Sequence, residues 1–390
     1  MRIAMVTETF PPEINGVALT VAGLAQSLRE AGHAVQIVRP RQAGDEAGAG
    51  ENGAEVLARG ARLPKYPGLQ FGLPIAQRLR KLWKNERPDA IYAATEGPLG
   101  YSALRVARAL GIPAATGFHT RFDDFARHYG FGFLTPVVFA YLRRFHRQAA
   151  ATLVPTIELR EFLMENQFGN VVLLRRAVDN ALFSPARRDE TLRAQWGLEP
   201  GQLAVVYVGR IATEKNLPLA VRAFREVQKV HRHARYIWIG DGPARAALAA
   251  ENPDFIFAGI QRDTGLARHF ASADLFVFPS LTETFGNVTL EALASGLPTV
   301  AFDYGAAREH LTPCCGRRVP YANEDAFVRA TLDLVRSDVT RTDLRAAAVA
   351  AVAELDPITV AAQFAELLAG LAQPGNNQIA GNGKLHEGSR

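Results

Sequence analysis

Two carboxylates that stand eight positions apart carry the strongest chemical signal in this sequence. They lie in residues 280–292, where Glu283 precedes a helical pattern and Glu291 falls inside it. Because only one of them is in the helix, the two side chains are expected to reach different parts of one ligand. The alternative is a helix cap with a solvated Glu291, but no capping box needs the intervening Phe-Gly pair. Backbone amides at the helix entrance suit an anion or a sugar hydroxyl. They belong to Thr284, Phe285, Gly286 and Asn287.

Two cations follow a predicted strand at residues 204–208. Arg210 and Lys215 lie at its carboxyl end, just before a helical pattern. Two positive charges in this place can neutralise a diphosphate leaving group without a metal ion. Gly209 favours this interpretation over a solvated basic turn, because glycine lets the backbone pass close to a ligand.

Two weaker signals lie in the first half of the chain. Residues 10–17 join the first predicted strand to a helix, and Gly16 stands where N–H groups of the helix N-terminus can meet a phosphate. The loop lacks the G-x-G-x-x-G spacing, so a nicotinamide dehydrogenase is not predicted, and a plain turn is the alternative. His119 ends another predicted strand. A neutral imidazole there can hydrogen-bond a sugar, although a lone histidine is more often structural.

The elements that position these residues follow from the hydrophobic pattern. Short β-branched runs alternate with helical patterns, which predicts parallel α/β layers in each half of the chain. The predicted fold is two Rossmann-like, doubly wound α/β domains facing each other across a cleft, with ligands at the carboxyl ends of the strands. Strands are expected near residues 3–7, 34–38, 90–93, 114–117, 152–154, 204–208, 236–239, 255–258, 275–278 and 299–301.

The same pattern predicts the domain boundaries. An N-terminal domain is expected over residues 1–183 and a C-terminal domain over 184–357, with the linker at 180–185. A helix at 358–373 is expected to return to the N-terminal domain. Residues 374–390 are polar and rich in Gly and Asn, which is typical of a disordered tail.

Composition excludes several classes of protein. The longest apolar runs, such as residues 203–208, fall far short of the ~20 residues that span a bilayer. A strand pattern begins within two residues of Met1, so no signal peptide is expected and the cytoplasm is the predicted location. The two cysteines are the adjacent Cys314 and Cys315, which form only a strained disulfide and cannot supply a metal site alone.

Charge is shared unevenly between the two halves. Residues 1–183 hold 22 Lys/Arg against 16 Asp/Glu, a balance of +6, and the remainder holds 22 against 23, a balance of −1. The asymmetry predicts an anionic partner for the N-terminal domain, and a membrane surface or lipid head group is favoured over nucleic acid. An apolar stripe flanked by cations has two interpretations. An ordinary surface helix that packs the stripe on the sheet is favoured, and the alternative is a helix that lies on anionic lipid. The stripe consists of Ile75, Leu79, Leu82 and Trp83.

The motifs together resemble those of family 4 of the retaining glycosyltransferases, which have the GT-B fold. Glu283-x7-Glu291, Gly-Arg-x4-Lys ending at Lys215 and Pro-Pro-x3-Gly ending at Gly16 occur in the family's order, over about residues 1–372. The resemblance implies an acceptor domain first and a nucleotide-sugar donor domain second. It also implies that Glu291 holds the donor's ribose hydroxyls, that Glu283 contacts the sugar ring, and that Lys215 and its arginine partner bind the diphosphate.

The resemblance assigns further residues to the site. The loop at Gly16 would face the phosphate from across the cleft, and His119 would lie beside the transferred sugar. The stretch that ends in Gly259 and Ile260 would bind the base through its backbone. In one departure from the family, Asn15 occupies a position where many relatives carry a second glycine.

Short stretches of the N-terminal domain resemble one subgroup of this family. Residues 96–100, 119–120 and 128–130 are similar to enzymes that glycosylate membrane lipids, including α-mannosyltransferases and sulfoquinovosyl-diacylglycerol synthases. The resemblance implies a lipid or glycan acceptor and peripheral contact with the inner face of the cytoplasmic membrane. The basic cluster 143–147 and the segment 120–129 are expected to frame such an acceptor.

The predicted activity is transfer of a hexose from GDP-mannose or a UDP-hexose with retention of the anomeric configuration. No Asp-x-Asp metal motif accompanies the donor residues, so neither a metal nor a cofactor beyond the nucleotide sugar is expected. No carboxylate is placed as a covalent nucleophile, which favours front-face attack. The alternatives are a GT-B nucleotide-sugar epimerase, which needs no acceptor, and a non-catalytic nucleotide-sugar-binding protein.

Overall fold

A computed structural model describes residues 1–13, 15–42, 44–45, 54–62, 70–119, 135–283, 285–336 and 338–372. These residues form two compact units. The N-terminal unit is Met1–Arg175 together with the segment that begins at Ile358, and the C-terminal unit is Arg176–Pro357. The predicted tail and the segment 120–129 lie outside the described residues.

The N-terminal unit is built on a parallel sheet. Its strands are β1 (Arg2–Val6), β2 (Ala34–Pro40), β3 (Glu55–Ala58), β4 (Gly60–Arg62), β5 (Gln70–Gly72), β6 (Ala90–Ala93), β7 (Ala114–Gly117), β8 (Ala151–Val154) and β9 (Val171–Leu173). Its helices are α1 (Gly16–Glu30), α2 (Ala76–Asn85), α3 (Pro98–Leu110), α4 (Thr135–His146) and α5 (Ile157–Glu165). The sheet order is β3-β2-β1-β6-β7-β8-β9 with parallel pairs, while β4 and β5 form an antiparallel hairpin.

The C-terminal unit repeats this plan. Its strands are β10 (Ala204–Val208), β11 (Arg235–Ile239), β12 (Ile256–Gly259), β13 (Leu275–Phe278), β14 (Thr299–Phe302) and β15 (Gly316–Val319). Its helices are α6 (Glu190–Gln195), α7 (Leu217–Val230), α8 (Arg245–Glu251), α9 (Asp263–Ser272), α10 (Asn287–Ala294), α11 (Gly305–His310), α12 (Glu324–Val335) and α13 (Asp338–Ala351), and α14 (Pro357–Ala372) follows. The parallel order is β12-β11-β10-β13-β14-β15.

The strand order reverses beside the first strand of each sheet, between β1 and β6 and between β10 and β13. In doubly wound sheets the ligand binds outside the carboxyl ends of the strands at such a point. The two sheets therefore confirm the predicted class of two Rossmann-like domains. The strands not predicted include the edge strands β3, β9 and β15, which are short or, as in the Gly-Arg-Arg-Val of β15, lack an apolar run.

Alternation along the strands explains why both faces of the C-terminal sheet are buried. Ala204, Val206 and Val208 of β10 belong to one hydrophobic core, while Val205 and Tyr207 belong to the core on the other face. Successive side chains of a strand point to opposite faces, so an uninterrupted apolar run is required when helices cover both.

The amphipathic helix α2 packs its apolar stripe into the protein. Leu79 and Trp83 are fully buried in the core of the N-terminal unit, and Trp83 Nε1 donates a hydrogen bond to Gln36 Oε1 at 2.9 Å. The favoured interpretation, in which the stripe packs on the sheet, is therefore confirmed, and the alternative in which it lies on lipid was wrong. Arg80 and Lys84 remain exposed, each one residue after a buried residue of the stripe. Among the described helices, none is both long and apolar enough to cross a bilayer.

The segments around the unit boundary are tied to one unit or the other. The amide of Val178 donates to the Leu355 carbonyl at 2.8 Å, and Phe183 is buried in a core of the C-terminal unit. Helix α14 packs on the N-terminal unit, where the Phe364 ring meets the edge of Tyr92 with centroids 5.0 Å apart. Both cysteines are free thiols; Cys315 is buried.

Candidate active site

Glycines at the ends of neighbouring strands shape the carboxyl edge of the C-terminal sheet. Gly209 follows β10 with φ 151°, Gly240 follows β11 with φ 134°, and Gly259 ends β12 with φ 68°. Gly209 donates its amide to Ile239, and Gly240 donates to the Gly259 carbonyl at 2.8 Å. A Cβ at Gly240 would overlap the carbonyl oxygen of Gly209. At Gly240 the loops therefore pack backbone on backbone and leave no room for a side chain.

Replacing Gly240 with alanine is expected to destabilise the protein by about 3 kcal/mol, because the methyl group overlaps a backbone oxygen and the positive φ adds strain. Thermal unfolding monitored by circular dichroism measures the effect. Gly23→Ala in α1 is the matched control, since a Cβ there meets nothing within 4 Å and alanine favours a helix. Equal unfolding temperatures for the two variants would contradict this account of the loop packing.

The turn after β10 brings Lys215 to the loop after β13. Lys215 Nζ lies 2.6 Å from Glu283 Oε1, and the two side chains are 16% and 20% exposed. Ser280 Oγ donates to the same carboxylate oxygen at 2.9 Å. Thr282 Oγ1 adds a hydrogen bond to the Glu214 carbonyl at 3.2 Å. Partial burial makes this charge-assisted pair stronger than one in water.

Arg210 does not join this cluster in the structure. Its side chain is 65% exposed, and Arg210 Nη1 lies 3.7 Å from Glu214 Oε1. Exposed pairs at that distance hold a side chain weakly. The two predicted cations therefore differ in environment, since Lys215 is fixed and Arg210 extends into solvent.

The loop after β13 turns into α10 through a glycine. Gly286 has φ 89°, and α10 begins at Asn287 without a side-chain cap. Phe285 is 5% exposed in the core, and its carbonyl accepts the Ala306 amide at 2.7 Å. The Phe285 side chain is thus structural, and the entrance of α10 presents backbone amides to a ligand. Thr284 lies outside the described residues.

Glu291 lies inside α10 and carries an unsatisfied atom. Its side chain is half-buried, while Oε2 is shielded and has no hydrogen-bond partner within the described part of the chain. Burial raises the pKa of Glu291 to about 7. A buried carboxylate oxygen without a donor is costly. A ligand hydroxyl would satisfy it.

The predicted base-binding stretch lies at the end of β12. Gly259 holds its positive φ beside Gly240, and Ile260 is 58% exposed. A large exposed aliphatic side chain next to open backbone is suited to pack against a flat ring. Four of the predicted residues follow strands of one sheet, at its carboxyl edge: Lys215, Ile260, Glu283 and Gly286. Glu291 lies further along α10.

In the N-terminal unit, the first helix is capped by its own asparagine. Asn15 Oδ1 accepts the amides of Val17 and Ala18 at 3.1 and 2.9 Å, and the Asn15 carbonyl accepts that of Leu19. The first four amides of the helix belong to residues 16–19. Among the described contacts, none uses the amide of Gly16, which is therefore available to a ligand. The predicted phosphate contact is reduced to this one group.

His119 is buried at the carboxyl end of β7. Its Nε2 lies 2.8 Å from the hydroxyl of Tyr92, and it is 9% exposed. A Cβ at Gly117 would collide with both groups, so this glycine allows them to meet. Sequence reasoning missed Tyr92 because it lies on the neighbouring strand β6, and no local pattern links the two.

Two buried carboxylates at the same edge were also missed. Glu8 follows β1 and accepts hydrogen bonds from the amides of Gly72 and Leu99; burial raises its pKa to about 7. Glu96 follows β6 and lies 3.5 Å from His146 Nε2. A glutamate just after a strand was the available signal. Within the described ranges, no cluster of three or more His, Cys, Asp or Glu could hold a metal ion.

Sequence comparisons place the chain among enzymes. The profile described as Glycosyltransferase Family 4 matches residues 14–182, and that of Glycosyl transferases group 1 matches residues 202–337. A GDP-mannose-dependent alpha-mannosyltransferase of Mycolicibacterium smegmatis is 35% identical over 80% of this chain and 83% of that protein. A sulfoquinovosyl transferase of Arabidopsis thaliana is 31% identical over 77% of this chain and 59% of that protein.

A solved structure extends the likeness to the fold. The sucrose-phosphate synthase of Thermosynechococcus elongatus matches with a TM-score of 0.72 at 17% identity, over 95% of this chain and 99% of that one. At this identity the match concerns the fold alone, which is GT-B. The chain belongs to glycosyltransferase family 4. It is a retaining glycosyltransferase, and the predicted family, fold class and enzyme class are confirmed.

Proposed function

We propose that this enzyme transfers mannose from GDP-mannose to a lipid or lipid-linked acceptor, through a donor site on the C-terminal unit. The observation that carries the proposal is a set of three features on the segments that follow β10 and β13. These are the Lys215–Glu283 pair, the open entrance of α10 and the Glu291 oxygen for which the described part of the chain provides no hydrogen-bond partner. The choice of sugar rests on the mannosyltransferase that is 35% identical.

The nucleotide end of the donor is assigned to α10 and β12. Among the described residues none donates a hydrogen bond to the shielded Oε2 of Glu291, and a ribose hydroxyl supplies such a donor. Gly259 exposes backbone to the edge of the base, and Ile260 packs against its face. Base selection through backbone contacts explains why no side-chain motif in the sequence identifies guanine.

The diphosphate is assigned to the turn after β10 and the entrance of α10. Lys215 supplies a fixed positive charge, and the amides of Gly286 and Asn287 supply donors at the positive end of the helix. Arg210 closes on the diphosphate from solvent, as its exposed side chain permits. Gly209 lets the backbone approach. Within the N-terminal unit, the amide of Gly16 is the group proposed to contact a phosphate.

The sugar of the donor is assigned to Glu283. The described contacts of the Glu283 carboxylate, from Lys215 and Ser280, go to Oε1. Oε2 is then the oxygen that accepts a sugar hydroxyl. Within the N-terminal unit, His119, whose Nε2 contacts the Tyr92 hydroxyl, is the proposed substrate-binding side chain.

The proposed reaction is a front-face displacement. The bond between C1 of the sugar and the diphosphate oxygen breaks, and the electron pair leaves with the GDP. The acceptor oxygen forms the new bond to C1 on the same face. Its proton passes to the departing phosphate oxygen. Lys215, Arg210 and the α10 amides stabilise the charge that develops on the diphosphate, which is the largest contribution that a protein makes in such a step.

A membrane-lipid acceptor is supported by the surface of the N-terminal unit. In α4, Val137 is 66% exposed and Tyr141 is 41% exposed, and Arg144 in the last turn is exposed as well. The exposed cations of α2 add to this charge. Apolar side chains beside cations suit the interface of an anionic bilayer, so we place the enzyme at the cytoplasmic face of the membrane.

A thermal-shift panel of GDP, UDP, GDP-mannose and UDP-hexoses tests the donor, followed by mass analysis of products made with a membrane lipid extract. GDP-mannose is expected to give the largest shift, and a mannosylated lipid is expected only in the complete mixture. Turnover of GDP-mannose that is independent of added lipid would instead favour an epimerase, and a larger shift with a UDP-hexose would overturn the choice of donor.

A further inference from the structure

The loop that carries Glu283 is also held by a tyrosine that no sequence motif indicated. Tyr304 follows β14, and β14 and β10 flank β13 in the sheet. The Tyr304 hydroxyl accepts a hydrogen bond from the Glu283 amide at 3.1 Å and donates one to the Ser280 carbonyl at 2.7 Å. One hydroxyl therefore joins the first and fourth residues of the segment 280–283. Glu283 therefore contacts Lys215, which follows β10, and Tyr304, which follows β14.

Tyr304 is itself fixed in place. Its ring meets that of Tyr321 edge to face, with centroids 5.4 Å apart and an angle of 88°. The next residue, Gly305, has φ 55°, and a Cβ there would lie 2.6 Å from the Phe285 carbonyl oxygen. The segment after β14 thus lies close against the loop after β13. A hydroxyl anchored in this way transmits a fixed position to the backbone that it binds.

We propose that Tyr304 is a positioning residue for glycosyl transfer, whose hydroxyl fixes the backbone of Glu283 so that its carboxylate meets both Lys215 and the transferred sugar. This rests on the proposed role of Glu283. Burial, together with the charge of Glu283, raises the pKa of Tyr304 well above its ordinary value. The hydroxyl therefore keeps the proton that it donates to Ser280 at any pH at which the enzyme works.

Removing only this hydroxyl, in Tyr304→Phe, leaves the Glu283 amide and the Ser280 carbonyl without their partner. A displacement of about 1 Å in a positioned group costs about 100-fold in rate. Turnover of GDP-mannose with a membrane lipid extract is therefore expected to fall by about 10- to 100-fold. The Kd for GDP, measured by calorimetry, is expected to stay within about threefold of wild type, because GDP lacks the sugar that Glu283 contacts.

Tyr236→Phe is the matched control. It removes a fully buried hydroxyl in the same unit for which the described residues provide no hydrogen-bond partner. Its turnover is expected to equal that of wild type. Unchanged turnover in Tyr304→Phe would overturn the proposal.

A double-mutant cycle with Glu283→Gln separates positioning from a general loss of structure. If Tyr304 acts through Glu283, adding Tyr304→Phe to Glu283→Gln lowers turnover by no more than about twofold. An equal loss in both backgrounds would overturn the inference and leave the donor site standing. Full turnover in Glu283→Gln alone would overturn the proposed function of Glu283. That outcome is distinguishable from the failure of the Tyr304 inference.

Discussion

Lys215→Ala is expected to lower the turnover of GDP-mannose by about 1000-fold. Lys215 is the fixed cation of the site, and its Nζ lies 2.6 Å from Glu283 Oε1. The substitution removes the charge that stabilises the departing diphosphate and leaves a partly buried carboxylate without its cation. Removal of one preorganised donor alone costs about 100- to 1000-fold, and the second effect adds to it. Initial rates with a membrane lipid extract measure the loss.

Two variants bracket this result. Lys229→Ala removes an exposed lysine of α7 that pairs with Glu226, and it is expected to leave turnover unchanged. Arg210→Ala is expected to cost only about tenfold, because its side chain is 65% exposed and must leave solvent to bind. If Lys215→Ala stayed within tenfold of wild type while Arg210→Ala did not, diphosphate neutralisation would belong to Arg210.

Glu291→Gln is expected to stabilise the ligand-free protein above pH 7. Burial raises the pKa of Glu291 from 4.5 to about 7, so the folded state holds a proton that the unfolded chain has released. The stability that comes from this proton is present in full below pH 4.5 and is lost as the pH rises to about 7. Glutamine does not ionise, so at pH 8 the variant avoids a cost of at most about 3 kcal/mol.

The same substitution is expected to weaken GDP binding by about 10- to 100-fold, because a hydrogen bond to a charged group contributes about 1.5–3 kcal/mol. Denaturant unfolding at pH 5 and pH 8 measures the stability, and calorimetry measures the affinity. Glu226→Gln in α7, where the glutamate is 34% exposed and pairs with Lys229, is the control and should change neither the stability nor the affinity. A variant that is less stable than wild type at pH 8, or that binds GDP equally well, would contradict the assignment of the ribose to Glu291.

The change in the free energy of unfolding between pH 5 and pH 8, compared between the variant and wild type, reports on Glu291 alone. Glu8 also has a pKa raised to about 7 by burial, and it titrates over the same range. It is present in both proteins, so its contribution cancels when the variant is compared with wild type. Stability gained together with affinity lost is the expected signature of a strained functional group.

The sequence alone predicted the sheets of this protein because buried parallel strands leave a local record. Val205 and Tyr207 alternate with Val206 and Val208, and each pair is buried in a different core. An uninterrupted apolar run therefore predicts a strand that is covered on both faces. The spacing of Glu283 and Glu291 was equally local, since both lie within one loop and the helix that it enters.

Contacts between residues on different strands have no local pattern in the sequence, and only the tertiary structure determined them. The pairing of Lys215 with Glu283 spans 68 residues, the contact of His119 with Tyr92 spans 27, and both depend on which strands are neighbours. Packing also decided between two interpretations of α2, because its apolar stripe has the same pattern whether lipid or a sheet covers it. Residue types and local spacing indicate what chemistry is available, whereas sheet order determines which groups meet to perform it.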